Sequence, residues 1–244
     1  SRSWKASRQM TISEPAQFPA IRLIGDSPVQ IWGLGGAARL TRTLRGFDAP
    51  GIDAWPAPVT GGTAVVLIHA GYLIEDSLLR KLLVSPGYYL QAPETGRVVA
   101  ANIPVAAASA MAELIVSEAA QATSGLQDDP GLHVLNPALA EDYNEALKKR
   151  VTAFILPISA ASRDQIERLL FAAVYKGVTD IVTKYVWPWP AYHVTRVCAA
   201  TGVTPNMVTS ASAALTVLAF LLFCDGQFGW GLMAAWGMTF LDTV

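Results

Sequence analysis

The segment from residue 204 to residue 244 constrains the fold of this chain more than any other feature. It contains two apolar runs, 207–224 and 228–241, and its charged residues are Asp225 and Asp242. A helix rises about 1.5 Å per residue, so the first run reaches most of the way across a hydrocarbon core of roughly 30 Å. The sequence therefore predicts two apolar membrane helices over 206–244, joined by a tight break at 225–227.

The acid that ends the second run, Asp242, is the first candidate functional residue. A charged side chain at membrane depth costs about 2.5–3.5 kcal/mol on insertion scales, so such residues usually have a function. Carboxylates suit hard cations such as Mg²⁺ and Mn²⁺. We interpret Asp242 as a catalytic residue and metal ligand. The alternative is that it marks the end of a short membrane helix and faces water.

Composition limits the partners of the remaining chain. The net charge of −1 gives no general basic surface, so nucleic acid is not an expected partner. The two cysteines, Cys198 and Cys224, lack a C-x-x-C arrangement, and neither a disulfide nor a zinc site is expected. Residues 1–19 are polar, with no apolar signal segment, so we predict a flexible leader over 1–20.

Residues 21–170 alternate between strand and helix patterns, which predicts an α/β domain with helices on both faces of an open sheet. The run 63–69 is continuously apolar, as in a buried parallel strand. Ser162 is the expected N-cap of the last helix. Strands are predicted over 21–24, 28–32, 52–55, 63–69, 88–91, 97–103, 132–135 and 153–157, and helices over 37–45, 75–84, 106–122 and 164–175.

Residues 171–205 read as a juxtamembrane linker with a helix lying in the membrane interface. Two indoles, Trp187 and Trp189, alternate with prolines just before a short helix predicted over 191–201. Tryptophans favour the headgroup level. Lys176, Lys184 and Arg196 precede the first span and no Lys or Arg follows it, which places the junction and the N-terminal domain in the cytoplasm.

The order of these motifs resembles the CDP-alcohol phosphotransferase family. Pro205, Asn206 and Thr209 form P-N-x-x-T at the start of the first apolar run, and the segment FLDTV stands at the end of the second. Asp242 matches the first acid of that family's D-x-x-D-G-x-x-A-R signature, with Thr243 and Val244 at its spacers. The second acid is expected directly after Val244. On this alignment the chain stops inside the signature, and its 244 residues alone are expected to be inactive.

The resemblance implies the activity and the partners. Family members hold two Mg²⁺ or Mn²⁺ ions on a carboxylate cluster, bind a CDP-alcohol, and transfer its substituted phosphate to an acceptor hydroxyl with release of CMP. It also implies an integral membrane bundle of six spans that forms a homodimer. Asn206 and Thr209 would lie near the nucleotide; ordinary helix capping is the alternative reading. Lys176 and Arg196 would hold a phosphate, or else anchor the chain to anionic lipid.

One branch of that family, which makes inositol-phosphate phosphodiesters, carries an N-terminal nucleotidyltransferase domain of Rossmann-like architecture. Gly35, Gly36 and Arg39 resemble its phosphate-binding G-x-G-x-R-L loop. Ala37 stands at the second glycine, and the predicted strand ends at His69 rather than at a metal-binding acid. We therefore expect a domain that keeps the fold without the chemistry. The alternatives are a bifunctional enzyme that makes its own CDP-alcohol, and a membrane-tethered nucleotide-binding module.

Overall fold

The computed structural model describes residues 18–49, 51–59, 62–117, 131–135, 142–144, 149–151, 153–174 and 185–244. Within these ranges the protein is α/β, with a mixed six-stranded sheet and seven α-helices. Some predicted features lie outside the described residues: most of the leader, residues 118–122 of the helix predicted over 106–122, Lys176 and Lys184. The prediction of that helix is too long, because the helix ends at Val116 and Ser117 is extended.

The described elements follow the predicted order closely. The strands are β1 (Ala20–Ile24), β2 (Ile52–Ala54), β3 (Ala64–His69), β4 (Tyr72–Ile74), β5 (Tyr88–Gln91), β6 (Val98–Pro104), β7 (His133–Val134), β8 (Asp142–Asn144), β9 (Lys149–Val151) and β10 (Ile155–Pro157). The helices are α1 (Gly36–Arg45), α2 (Asp76–Val84), α3 (Ala108–Val116), α4 (Arg163–Val174), α5 (Pro188–Thr201), α6 (Pro205–Cys224) and α7 (Phe228–Leu241).

The main sheet has the strand order β2-β1-β3-β6-β5-β7. Strands β2 and β3 are both parallel to β1, while β6 is antiparallel to β3 and to β5. The parallel pairing of β3 confirms the interpretation of its continuously apolar run. Strands β5 and β6 are neighbours in the chain and pair antiparallel, as a hairpin.

The chain divides into two compact units built from interleaved segments. The first takes the described residues of Ser1–Ile24, Thr43–His69 and Leu78–Asn136 and contains the main sheet. Its core joins side chains from β3, β5 and β6 to those of α3, with Leu67, Tyr89 and Ile115 fully buried. The Asn102 side chain donates hydrogen bonds to the Leu82 and Leu83 carbonyls, which satisfies the end of α2.

The second unit takes the described residues of Gly25–Arg42, Ala70–Ser77 and Pro137–Val244. It contains the small antiparallel sheet of β4 and β10 and the helices α4 to α7. One of its cores joins Ile31, Leu73, Ile158 and Ile166. The strand β4, three residues long, was not predicted, because a stretch this short carries no readable periodicity.

The prediction of a strand over 28–32 is wrong. Ile31 and Leu34 instead close a tight turn through two backbone hydrogen bonds of 2.9 and 3.1 Å. Trp32 and Gly33 in this turn have φ values of 51° and 72°, in the left-handed region that extended strands do not use. The apolar side chains of this stretch serve the core of the second unit rather than a sheet.

The C-terminal helices form the predicted hairpin. Helix α6 is long and apolar enough to cross a membrane by length and composition, and α7 is a shorter apolar helix. The two helices approach closely: a Cβ added at Gly231 would lie 2.8 Å from the ring of Phe223. Small residues at helix interfaces allow this close approach.

Candidate functional site

The carboxylate of Asp242 is held against α6 at the end of the hairpin. Ser212 Oγ donates a 2.6 Å hydrogen bond to Asp242 Oδ1. Ser212 itself is buried, whereas Asp242 is exposed and follows the last residue of α7. The fold therefore fixes one oxygen of an accessible carboxylate beside the N-terminal half of α6.

Ser212 is the site residue that sequence reasoning missed. A signal for it was present, because Thr209, Ser212 and Thr216 form a polar stripe at i, i+3 and i+7 within the first apolar run. Such spacing places all three residues on one side of α6, where Ser212 is buried while Thr209 and Thr216 are exposed. Ser212 is the residue of this stripe that meets Asp242.

The predicted nucleotide residues lie in the first two turns of α6. The N-cap is Thr204, whose side chain accepts from the Met207 backbone N–H, and Pro205 occupies the first turn. Thr209 Oγ1 donates to the Pro205 carbonyl at 3.1 Å, and Asn206 is exposed. Thr204 is therefore the N-cap of α6, and Asn206 is not.

No group of three or more His, Cys, Asp or Glu side chains suited to a metal ion occurs within the part of the chain that the structure describes. Asp242 brings one carboxylate and Ser212 orients it. The metal site stays a prediction that rests on this acid.

Arg196, predicted to hold a phosphate, is already engaged by two carboxylates of α4. Its Nη2 donates to Asp164 Oδ1 at 2.7 Å, and its Nε lies 3.2 Å from Glu167 Oε2 without hydrogen-bond geometry. Partial desolvation lowers the pKa of Arg196, but Glu167 and Asp164 outweigh it and hold that pKa above its ordinary value. Arg196 ties α5 to α4 in this structure; Lys176, its predicted partner, lies outside the described residues.

The two tryptophans predicted to lie in the membrane interface differ in their exposure. Trp187 is buried, with its ring 5.4 Å from that of Trp236 and 5.1 Å from that of Phe240. Trp189 is 76% exposed. Trp189 is therefore the residue free to lie at headgroup level, while Trp187 joins α5 to α7.

The glycine-rich turn before α1 is explained by packing. A Cβ on Gly36 would lie 1.9 Å from the Ala70 carbonyl oxygen, whereas a Cβ on Gly35 would meet nothing within 4 Å. Asp26 Oδ1 accepts a 3.3 Å hydrogen bond from the Ala37 backbone N–H at the start of α1. A protein carboxylate thus occupies the position where a helix N-terminus attracts a phosphate.

Arg39, the third residue of that turn motif, lines a separate cavity in the same unit. Its Nη2 donates to the Ile31 carbonyl at 2.7 Å. Burial lowers the pKa of Arg39, and the nearby Arg42 lowers it further, while Glu167 opposes both. The guanidinium of Arg39 therefore binds the backbone at Ile31, before α1, and lines a cavity together with residues of α4 and α5.

No protein-family model matches the chain, and no curated protein matches it.

Proposed function

We propose that this chain belongs to an integral-membrane transferase that moves a substituted phosphate group from a CDP-alcohol to an acceptor hydroxyl, with release of CMP. The observation that carries the proposal is the Ser212–Asp242 hydrogen bond at the end of an apolar hairpin. It fixes an exposed carboxylate on the side of α6 that also carries Thr209. An acid in such surroundings is a functional-site hypothesis by default.

The roles of the residues follow from their chemistry. Bound Mg²⁺ or Mn²⁺ would neutralise the pyrophosphate and stabilise the departing CMP. Asp242 would hold such an ion, and Ser212 would keep its carboxylate in one orientation, as outer hydrogen bonds do for metal ligands. Asn206 and Thr209 would bind the nucleotide from the first turns of α6.

We also propose that residues 21–170 keep a Rossmann-like, nucleotidyltransferase-type architecture without the transfer chemistry. The parallel arrangement of β2, β1 and β3, with the glycine-rich turn after β1, supports the architecture. Asp26 at the start of α1 opposes binding of a phosphate there, because two negative charges would share one helix terminus.

The absence of cytidylyl transfer is a testable prediction. The full chain, incubated with CTP, Mg²⁺ and a panel of sugar- and polyol-phosphates, should release no pyrophosphate above background. The assay uses the full chain because the second unit takes segments from both halves of the sequence. Pyrophosphate release with any acceptor would show that the degenerate loop still works and that the protein makes its own CDP-alcohol.

The membrane topology can be tested with the two natural cysteines. The Lys and Arg residues before α6 predict that α5 and Cys198 lie on the cytoplasmic side. If α6 spans the membrane, the exposed Cys224 at its end would then lie at the opposite surface. A membrane-impermeant maleimide applied to intact cells should therefore label Cys224 and spare Cys198. Cys224→Ser should abolish the labelling, and Cys198→Ser should leave it unchanged. Labelling that persists in Cys224→Ser would contradict this topology.

A membrane-tethered nucleotide-binding module is the second candidate. The parallel strands β2, β1 and β3 support it, with any nucleotide bound away from the α1 terminus that Asp26 occupies. The full-length protein in lipid nanodiscs separates the two. The transferase proposal predicts Mg²⁺-dependent CMP release from CDP-diacylglycerol or another CDP-alcohol when a polyol or polyol-phosphate acceptor is added. Nucleotide binding without CMP release, across a broad panel of donors and acceptors, would favour the module.

A further inference from the structure

A cavity of about 550 Å³ in the second unit is lined by residues of α4 and α5. Its apolar walls are Phe171 and Ala172 from α4 and Pro188, Trp189 and Tyr192 from α5. At roughly 30 Å³ per non-hydrogen atom, the share of a water molecule in the liquid, this volume holds about 18 such atoms. The cavity therefore has room for one long hydrocarbon chain with a small headgroup, and it is too small for a two-chain lipid.

The aromatic side chains of the cavity support one another. The ring centroid of Trp189 lies 5.1 Å from that of His193, edge-on, and the His193 ring lies 5.4 Å from that of Tyr192. Tyr192 also meets the ring of Phe171 edge-on at 5.4 Å. The hydroxyl of Tyr192 is buried, so this residue contributes its ring and no hydrogen-bonding group to a ligand. The aromatic wall is therefore suited to an apolar chain.

Arg168 supplies a cation at this cavity. Its side chain lines the cavity, and it is exposed and forms no ion pair with residues that the structure describes. The acids nearest to it on α4 are already engaged, because Asp164 and Glu167 pair with Arg196, and Glu167 also pairs with Arg163. Arg168 is therefore left to attract an anion, and a guanidinium binds a carboxylate through two parallel hydrogen bonds.

The predicted position of α5 brings the cavity to the membrane surface. Trp189 is exposed, as a residue at headgroup level would be, and α5 leads through residues 202–204 into the apolar helix α6. A cation beside an apolar wall at this depth matches an amphiphile whose charged end stays at the headgroups. A ligand dissolved in the bilayer could therefore reach the cavity directly.

We propose that this cavity binds a long-chain fatty acid, with its carboxylate at Arg168 and its chain along Phe171, Trp189 and Tyr192. The single guanidinium matches the single charge of a carboxylate, and the volume matches one chain. This goes beyond the proposed transfer reaction, because a fatty acid is neither its donor nor its acceptor. Binding at Arg168 also requires neither a metal ion nor Asp242.

The test is photolabelling of the full chain in phosphatidylcholine nanodiscs with a palmitate analogue that carries a diazirine near the end of its chain. Mass spectrometry of the digested protein locates the label. Labelling on α4 and α5 should saturate, and excess palmitate should displace it. The matching hexadecanol analogue lacks the carboxylate and should need an at least about threefold higher concentration for half-saturation, since an exposed ion pair contributes modestly.

Two variants test the charge and the volume of the cavity separately. Arg168→Gln should raise the half-saturating concentration of the palmitate analogue at least about threefold and remove its advantage over the alcohol. Arg42→Gln makes the same charge change at an exposed position of α1 and should leave labelling unchanged. Ala172→Trp places a bulky side chain in the cavity from an exposed position on α4 and should abolish saturable labelling there.

Several outcomes would overturn the proposal. One is unchanged labelling in a folded Arg168→Gln or Ala172→Trp variant. Another is labelling of α6 and α7 alone, without saturation on α4 and α5. Displacement of the analogue by phosphatidylglycerol as effectively as by palmitate would assign the cavity to a bilayer phospholipid instead. If Arg168→Gln does not fold, equal half-saturation by the acid and the alcohol in the unchanged chain would show that no carboxylate is recognised.

Discussion

Gly36→Ala is expected to destabilise the protein by about 3 kcal/mol or more, because its new Cβ must displace backbone rather than a flexible side chain. That Cβ would lie 1.9 Å from the Ala70 carbonyl oxygen and 3.4 Å from Asp26 Oδ1. For a chain of 244 residues, such a loss lowers the melting temperature by about 6–12 °C. Thermal unfolding in detergent, followed by circular dichroism, measures it.

Gly35→Ala is the matched control for that experiment. Its Cβ would meet nothing within 4 Å, and the substitution reduces the freedom of the unfolded chain. We expect a change within about 0.5 kcal/mol. The two variants separate two explanations of the glycine-rich turn. A phosphate-binding loop needs a close approach of the backbone to the ligand at both glycines. Packing against Ala70 needs Gly36 alone, so only Gly36→Ala should lower the melting temperature. A Gly36→Ala variant that melts with the unchanged chain would contradict the packing explanation.

Asp242→Asn in the full-length protein is expected to lower CMP release at least about a hundredfold. The amide keeps the side-chain volume and an oxygen that can accept from Ser212, so the hairpin should remain intact. It loses the negative charge that attracts a divalent cation. Initial rates at saturating CDP-alcohol, measured over a range of Mg²⁺ concentrations, give the effect.

Asp225→Asn is the control for the loss of an acid in the same hairpin. Asp225 lies at the opposite end of α6 and accepts a 2.6 Å hydrogen bond from the side chain of Gln227. Its variant should keep at least about half of the wild-type rate, since exposed polar pairs contribute little. Near-normal turnover in Asp242→Asn at limiting Mg²⁺ would remove Asp242 from the metal site.

The helices formed by continuous apolar runs were predictable from the sequence, and the turn at Trp32 was not. Helix α7 matches the apolar run 228–241, and α6 begins at Pro205, one residue before the predicted start at 206. Uncharged runs bounded by turn residues have few alternative structures. The stretch ending at Trp32 is rich in strand-forming residues, yet its contacts with α4 and α5 impose a left-handed turn.

The candidate site was also predictable only in part. Asp242 was identifiable because an acid at the end of an apolar run stands out in the sequence alone. The partners of Arg196 and the reason for Gly36 depend on residues far along the chain, namely Glu167 and Ala70. Local motifs reveal which side chains carry chemistry; they do not reveal which of them the fold has already paired.

The most direct test of the account is whether Asp242 binds a divalent cation. Electron paramagnetic resonance of Mn²⁺, titrated into the full-length protein in nanodiscs with a CDP-alcohol present, measures bound and free ion separately. We predict tight Mn²⁺ binding in the wild-type protein and in Asp225→Asn, and its loss in Asp242→Asn. Equal Mn²⁺ binding in the wild-type protein and in a folded Asp242→Asn variant would contradict the assignment of Asp242 as a metal ligand.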